Sequence, residues 1–172
     1  LNKRIAAGNL FLGEFSIGDA LQEPLPATHF GRPFDKRPKQ FTGYYRYTPG
    51  PKFQNQDGSY VDGKQDTPSI YAILYRNHDA QGNAVTLNGE NVQTSPLIVA
   101  RAIATDLPAT TEWRQFQVNF TFDSDLDLDL LENRGYSLAV VFSSSADGAY
   151  FQGAVNSTLD IDKVRIVCET QE

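Results

Sequence analysis

The 172-residue chain has no methionine, one cysteine and one tryptophan. A lone Cys168 closes no internal disulfide and cannot build a zinc site by itself, so cysteine usage marks no compartment. Lying in an apolar run, it reads as a small buried hydrophobe. Long apolar runs are missing as well. A stretch such as residues 96–100, Pro-Leu-Ile-Val-Ala, falls far short of the roughly 18 residues that cross a bilayer. Basic residues are in deficit, 15 Lys and Arg against 21 Asp and Glu, for a net charge of −6. With no basic stripe, an acidic surface repels phosphate backbones, and nucleic acid is not an expected partner. Methionine is missing even at position 1, so the expectation is a domain cut from a longer protein, and the lack of a signal peptide says nothing about location.

Familiar catalytic patterns are absent too. There is no Gly-x-Ser-x-Gly, no phosphate-binding loop, no Gly-x-Gly-x-x-Gly and no His-Glu-x-x-His. The two histidines, His29 and His78, sit in polar, loop-like contexts and read as surface residues. No segment carries the pattern of a long capped amphipathic helix. Only the regions 16–21 and just after Asp127 suggest short ones.

What the chain does contain is period-two alternation. Phe116, Val118, Phe120 and Phe122 alternate with Gln115, Gln117, Asn119 and Thr121, the pattern of a strand with one buried face. Residues 136–142 and 70–76 are near-continuous β-rich runs, expected of central strands. Residues 97–103 fit either a strand or a short helix. Asp57-Gly58, Asp62-Gly63, Asn88-Gly89, Arg134-Gly135 and Asp147-Gly148 supply turns between them. Residues 6–15 read as one strand with glycine punctuation, and the proline-rich 23–38 as loops crossing one end of the molecule. Many short strands separated by turns predict an all-β, two-sheet antiparallel β-sandwich, a single domain over residues 1–172. In the last strand, Leu159 and Ile161 are odd-numbered apolar positions, whereas Val164, Ile166 and Cys168 are even-numbered. That parity change predicts a β-bulge near Asp162-Lys163.

Twenty aromatic residues, eleven Phe, eight Tyr and one Trp, dominate the energetics. Burying each is worth at most about 4–6 kcal/mol, so an apolar face goes inside by default. In Phe41-Thr42-Gly43-Tyr44-Tyr45-Arg46-Tyr47-Thr48, alternation predicts Phe41, Tyr45 and Tyr47 inward and Tyr44 and Arg46 outward. The outward set could stack a pyranose ring and bond its hydroxyls, or be an ordinary sheet surface with a tyrosine–guanidinium contact. Trp113, out of phase with the Phe116 face, is either end packing or a ligand platform. Asp160 and Asp162, beside the predicted bulge, are either local turn partners or oxygen ligands of a structural Ca²⁺. The acidic run 123–130 reads as a solvated edge, with a cation site as its alternative.

Several short motifs follow one another in an order that resembles one family, the "putative carbohydrate metabolism domain". They are Ala7-Gly8-Asn9-Leu10-Phe11-Leu12-Gly13, Phe30-Gly31-Arg32-Pro33-Phe34, Arg37-Pro38, Gly43-Tyr44-Tyr45-Arg46-Tyr47 and Pro49-Gly50. Trp113 with Phe116, Ser143-Ser144-Ser145, Asp147-Gly148, Phe151-Gln152-Gly153-Ala154 and residues 157–162 continue the series. The resemblance spans roughly residues 6–168. It implies a jelly roll like those of galactose-binding-like and carbohydrate-binding modules. It also implies a C-terminal domain of a secreted or outer-membrane lipoprotein of Bacteroidetes, often preceded by an immunoglobulin-like domain. In related modules a Ca²⁺ lies near the last strand, which points again to Asp162. The resulting expectation is a non-catalytic carbohydrate-binding module with Tyr44, Arg46, Tyr75, Trp113, Gln117 and Asn119 as sugar contacts. A glycoside hydrolase or lyase, and an adhesin-type module that binds protein, are the competing expectations.

Overall fold

Alternating segments become strands where a second apolar face meets them. In a computed structural model that describes residues 4–20, 23 and 25–170, these segments pair throughout in antiparallel fashion. The first half contributes β1 (Asn9–Phe11), β2 (Gly13–Phe15), β3 (Thr28–Phe30), β4 (Arg32–Phe34), β5 (Pro38–Thr48), β6 (Phe53–Gln54) and β7 (Ser69–Arg76). The second contributes β8 (Leu87–Asn88), β9 (Ile98–Ile103), β10 (Thr110–Asn119), β11 (Thr121–Phe122), β12 (Tyr136–Ser143), β13 (Gly153–Ala154) and β14 (Thr158–Cys168). Helix is confined to short turns, α1 (Ile17–Ala20), α2 (Leu128–Glu132) and a 3₁₀ turn at Gly148–Tyr150. In α2, the carboxylate of Asp127 accepts from Leu130 N at 3.0 Å as the helix N-cap.

Two sheets make the sandwich. The larger runs β1-β12-β7-β9-β11, with β4 also paired to β12, and the smaller runs β10-β5-β14. Between them lies a core to which β5 contributes Phe41, Tyr45 and Tyr47, β10 Phe116, and the larger sheet Ile70, Leu74, Ala100, Leu138 and Phe142. The alternation of β5 is as the sequence predicts: Phe41 and Tyr45 are 0 % exposed and Tyr47 2 %. Gly43 shares that inward face because the ring of Phe116 fills its place; a Cβ there would stand 2.6 Å from Phe116 Cζ.

The larger sheet is buried on both faces. Its outer side, with Tyr71, Ile73, Tyr75, Ala139 and Val141, packs against Phe30, Leu87 and Val92 in a second apolar cluster. A small sheet, β2-β3-β8, lies in that layer. This covering explains why β7 and β12 carry apolar residues on both faces rather than in strict alternation. It also corrects one sequence expectation. Tyr75 is 1 % exposed and donates its hydroxyl to Phe30 O at 2.7 Å, so it offers no face to a sugar.

Other differences are local. Residues 6–15 are two strands in different sheets, broken at Leu12. The proline-rich segment contains β3 and β4, joined at Gly31, whose φ of +102° turns the chain tightly over the Tyr75 ring. Residues 98–103 are strand. The Asp162-Lys163 bulge is present: Asp162 opposes Tyr44 and Arg165 opposes Thr42, with Lys163 at φ 50° as the extra residue.

One polar group ties the loops together. Asp66, 2 % exposed, accepts at Oδ2 from Ser145 Oγ (2.6 Å), Ala154 N (2.8 Å) and Ser157 Oγ (2.7 Å). Its Oδ1 accepts from Thr67 N at 3.0 Å. A buried carboxylate needs such partners to remain in the interior.

Candidate functional site

The outward positions of β5 are Gln40, Thr42, Tyr44, Arg46 and Thr48, none of them buried. Pairing sets their neighbours on the same face. Gln115 on β10 and Asp162 on β14 flank Tyr44; Gln117 and Arg165 flank Thr42; Asn119 and Val167 flank Gln40; Asp160 opposes Arg46. Trp113 is added by an irregularity. Between Thr110 and Arg114, β10 advances four residues while β5 advances from Tyr47 to Tyr45, and Trp113 lies in the surplus. It is 44 % exposed. Thus Tyr44, Arg46, Trp113, Gln117 and Asn119, predicted separately from the sequence, lie on one solvent-facing sheet surface. Tyr75 is the member that does not join them.

Arg46 organises this surface. Its guanidinium lies 4.5 Å from the Trp113 ring centroid, and its Nε and Nη2 donate to Asp160 Oδ2 at 3.2 and 2.9 Å. Cation–π attraction holds the plane while the carboxylate holds the edge. At 41 % and 45 % side-chain exposure the ion pair contributes only about 0–1 kcal/mol. Its value lies in orientation. Lys163 reaches over the Tyr44 ring, its Nζ 5.8 Å from the centroid, so the bulge residue borders the same surface. Gln40 Nε2 donates to Asn119 Oδ1 at 2.9 Å, which leaves the Asn119 amide hydrogens available to a ligand.

Asp160 and Asp162 fit a calcium site poorly. Asp160 is committed to Arg46, and Asp162 Oδ1 accepts from Lys163 N at 2.8 Å. Among the described residues no group of three or more His, Cys, Asp or Glu side chains converges. Two carboxylates, one already neutralised, fall short of the 6–8 oxygens that Ca²⁺ takes.

Two concavities lie elsewhere. One, of about 540 Å³, runs between residues 4–10 and the segment 154–161. The other, of about 300 Å³, brings His29 and His78 together with Glu14 and Arg32. Glu14 and Arg32 are paired at 2.7 Å, and His78 Nδ1 lies 2.8 Å from Asn77 Oδ1. Sequence reasoning placed neither groove and did not single out Asp66, because each depends on contacts between segments far apart in the chain.

Fold and surface together define a β-sandwich that exposes an aromatic and amide face on its smaller sheet. The chain belongs to the family described as "putative carbohydrate metabolism domain", which matches residues 1–167. It is similar to a crystal structure described as a "putative glycoside hydrolase" from Bacteroides thetaiotaomicron, with 41 % identity and a TM-score of 0.93, over 99 % of this chain and 49 % of the other. A second, described in the same words, from Bacteroides vulgatus, is 38 % identical with a TM-score of 0.85, over 95 % of this chain and 65 % of that one. The chain therefore spans about half of one relative and under two thirds of the other. No curated protein matches it. No helix among the described residues is long and apolar enough to cross a membrane.

Proposed function

We propose that this domain is a non-catalytic carbohydrate-binding module of a secreted or cell-surface bacterial protein, and that it binds glycan on the outer face of the β10-β5-β14 sheet. The observation that carries the reading is the convergence of Tyr44, Arg46, Trp113, Gln117 and Asn119 on that face. Flat rings meet the C–H faces of a pyranose, while amide and guanidinium groups bond its hydroxyls. Membership of a carbohydrate-related family and similarity to Bacteroides proteins support it. An outer-membrane lipoprotein carrying a preceding immunoglobulin-like domain is the proposed setting.

The solved relatives' description favours a second reading, a domain within a glycoside hydrolase. Hydrolysis in most families needs two carboxylates flanking the scissile bond. Among the described residues no acidic side chain lines the larger groove and Glu14 is the one acidic side chain at the smaller, so binding is the better-supported role here. An array of plant, host and microbial polysaccharides, probed with the wild type, Tyr44→Ala and Trp113→Ala, tests the proposal. Loss of an aromatic anchor is expected to weaken binding by about 2 kcal/mol, roughly 30-fold. Binding to no polysaccharide, or binding untouched by both variants, overturns it. Release of reducing sugar by the wild type would favour the hydrolase.

A further inference from the structure

We propose that the 540 Å³ groove between the N-terminal segment and the start of β14 is a second saccharide site, distinct from the sheet face. The inference rests on the carbohydrate reading above and adds a location to it. The volume lies within the roughly 300–1,000 Å³ of small-molecule sites. One wall is fixed from behind: Ser145, Ala154 and Ser157 all line the groove, and all donate to the buried Oδ2 of Asp66. Ser157 Oγ also accepts from Gly50 N at 3.0 Å, so its position is set from two sides. The opposite wall is joined on through Gly8, whose N–H donates to Ser144 Oγ at 3.0 Å. A wall held by second-layer hydrogen bonds is the ordinary support of a binding site.

Asn156 supplies a second, independent observation. It stands in the groove lining at φ 71°, a left-handed conformation uncommon for residues other than glycine. Its carboxamide is exposed and has no hydrogen-bond partner among the described residues. An amide gives both donors and an acceptor, the pairing that sugar hydroxyls need. Among the described residues Arg4 is the one charged side chain in the lining, so the groove suits a neutral or acidic saccharide and not a cationic one. Alternation along β14 separates the two sites. Leu159 and Ile161 border the groove, whereas Asp160 and Asp162 oppose Arg46 and Tyr44 on the sheet face.

The test is an NMR titration of the whole chain with short xylo-, manno- and galacto-oligosaccharides and their uronate counterparts. Ala6→Trp fills the groove from an exposed position. Asn156→Gly tolerates the positive φ and removes the side chain with its carboxamide. We expect shifts at Asn156 and Thr158, abolished by Ala6→Trp and about tenfold weaker in Asn156→Gly, while Trp113→Ala leaves them in place. Shifts confined to the surroundings of Tyr44 and Trp113, and indifferent to Ala6→Trp, overturn the groove and leave the sheet-face reading standing. Shifts at the groove alone support this inference and overturn the sheet face. No shift with any oligosaccharide overturns both.

Discussion

A carboxylate at 2 % exposure persists only because four donors surround it, and Asp66 has them from Ser145, Ala154, Ser157 and Thr67. Asp66→Asn preserves shape but weakens all four charge-assisted bonds and can turn an NH₂ toward donors. We expect it to destabilise the domain by about 2–4 kcal/mol, read as a lowered urea midpoint at unchanged slope. Gly43→Ala should cost about 1–3 kcal/mol for a different reason, since the new methyl meets the Phe116 ring rather than a polar group. If either variant matches the wild type, the corresponding contact is not a determinant of stability. Asp66 was illegible in the sequence for a definite reason. Lys64-Gln65-Asp66-Thr67-Pro68 reads as a polar loop, and its serine partners lie 79 and 91 residues away. Nothing local distinguishes such a residue from a solvated aspartate.

At the scale of the strand, more was readable. The two faces of β5 followed from alternation alone, and the parity change in β14 located its bulge to the residue pair. That bulge makes a sharp prediction. Lys163 and Val164 together oppose Gly43, so deleting Lys163 leaves Val164 there, Arg165 on Thr42 and Ile166 on Phe41. The deletion should fold cooperatively, with its melting midpoint within about 5 °C of wild type. Deleting Thr42 has no bulge to absorb it within β5 and turns half of that strand inside out. It should abolish cooperative melting. Equal outcomes for the two deletions would show that register is not fixed by this alternation. Tyr75 shows the limit of strand-level reading. Alternation says that it faces away from the sandwich core, but not that another sheet waits on the far side.

For the whole molecule, the third layer is the part that pattern could not supply, because β2, β3 and β8 are two or three residues each. Burial in the two apolar clusters has a measurable signature. Tyr47 in the sandwich core and Tyr71 in the outer cluster are both pushed up to about 12 by burial, from 10.0. The folded state therefore holds phenolic protons that the unfolded chain releases first. Stability should be full below pH about 10 and fall as pH rises towards about 12. Urea midpoints at pH 8, 10 and 11 check this, and a flat profile would contradict it. Tyr47→Phe should flatten the slope in part, leaving the shares of Tyr71 and of Tyr45 and Tyr75, which burial also raises.

The ring of Phe116 seated in the gap at Gly43 has a consequence for how the chain finds its shape. A strand pairing that slips by one residue would drive that ring against Thr42 or Tyr44 rather than into the notch. Misaligned encounters between β10 and β5 are therefore expected to be shorter-lived than the native register. If the notch selects register during assembly, filling it should slow refolding of Gly43→Ala more than it speeds unfolding, a difference that stopped-flow mixing can resolve.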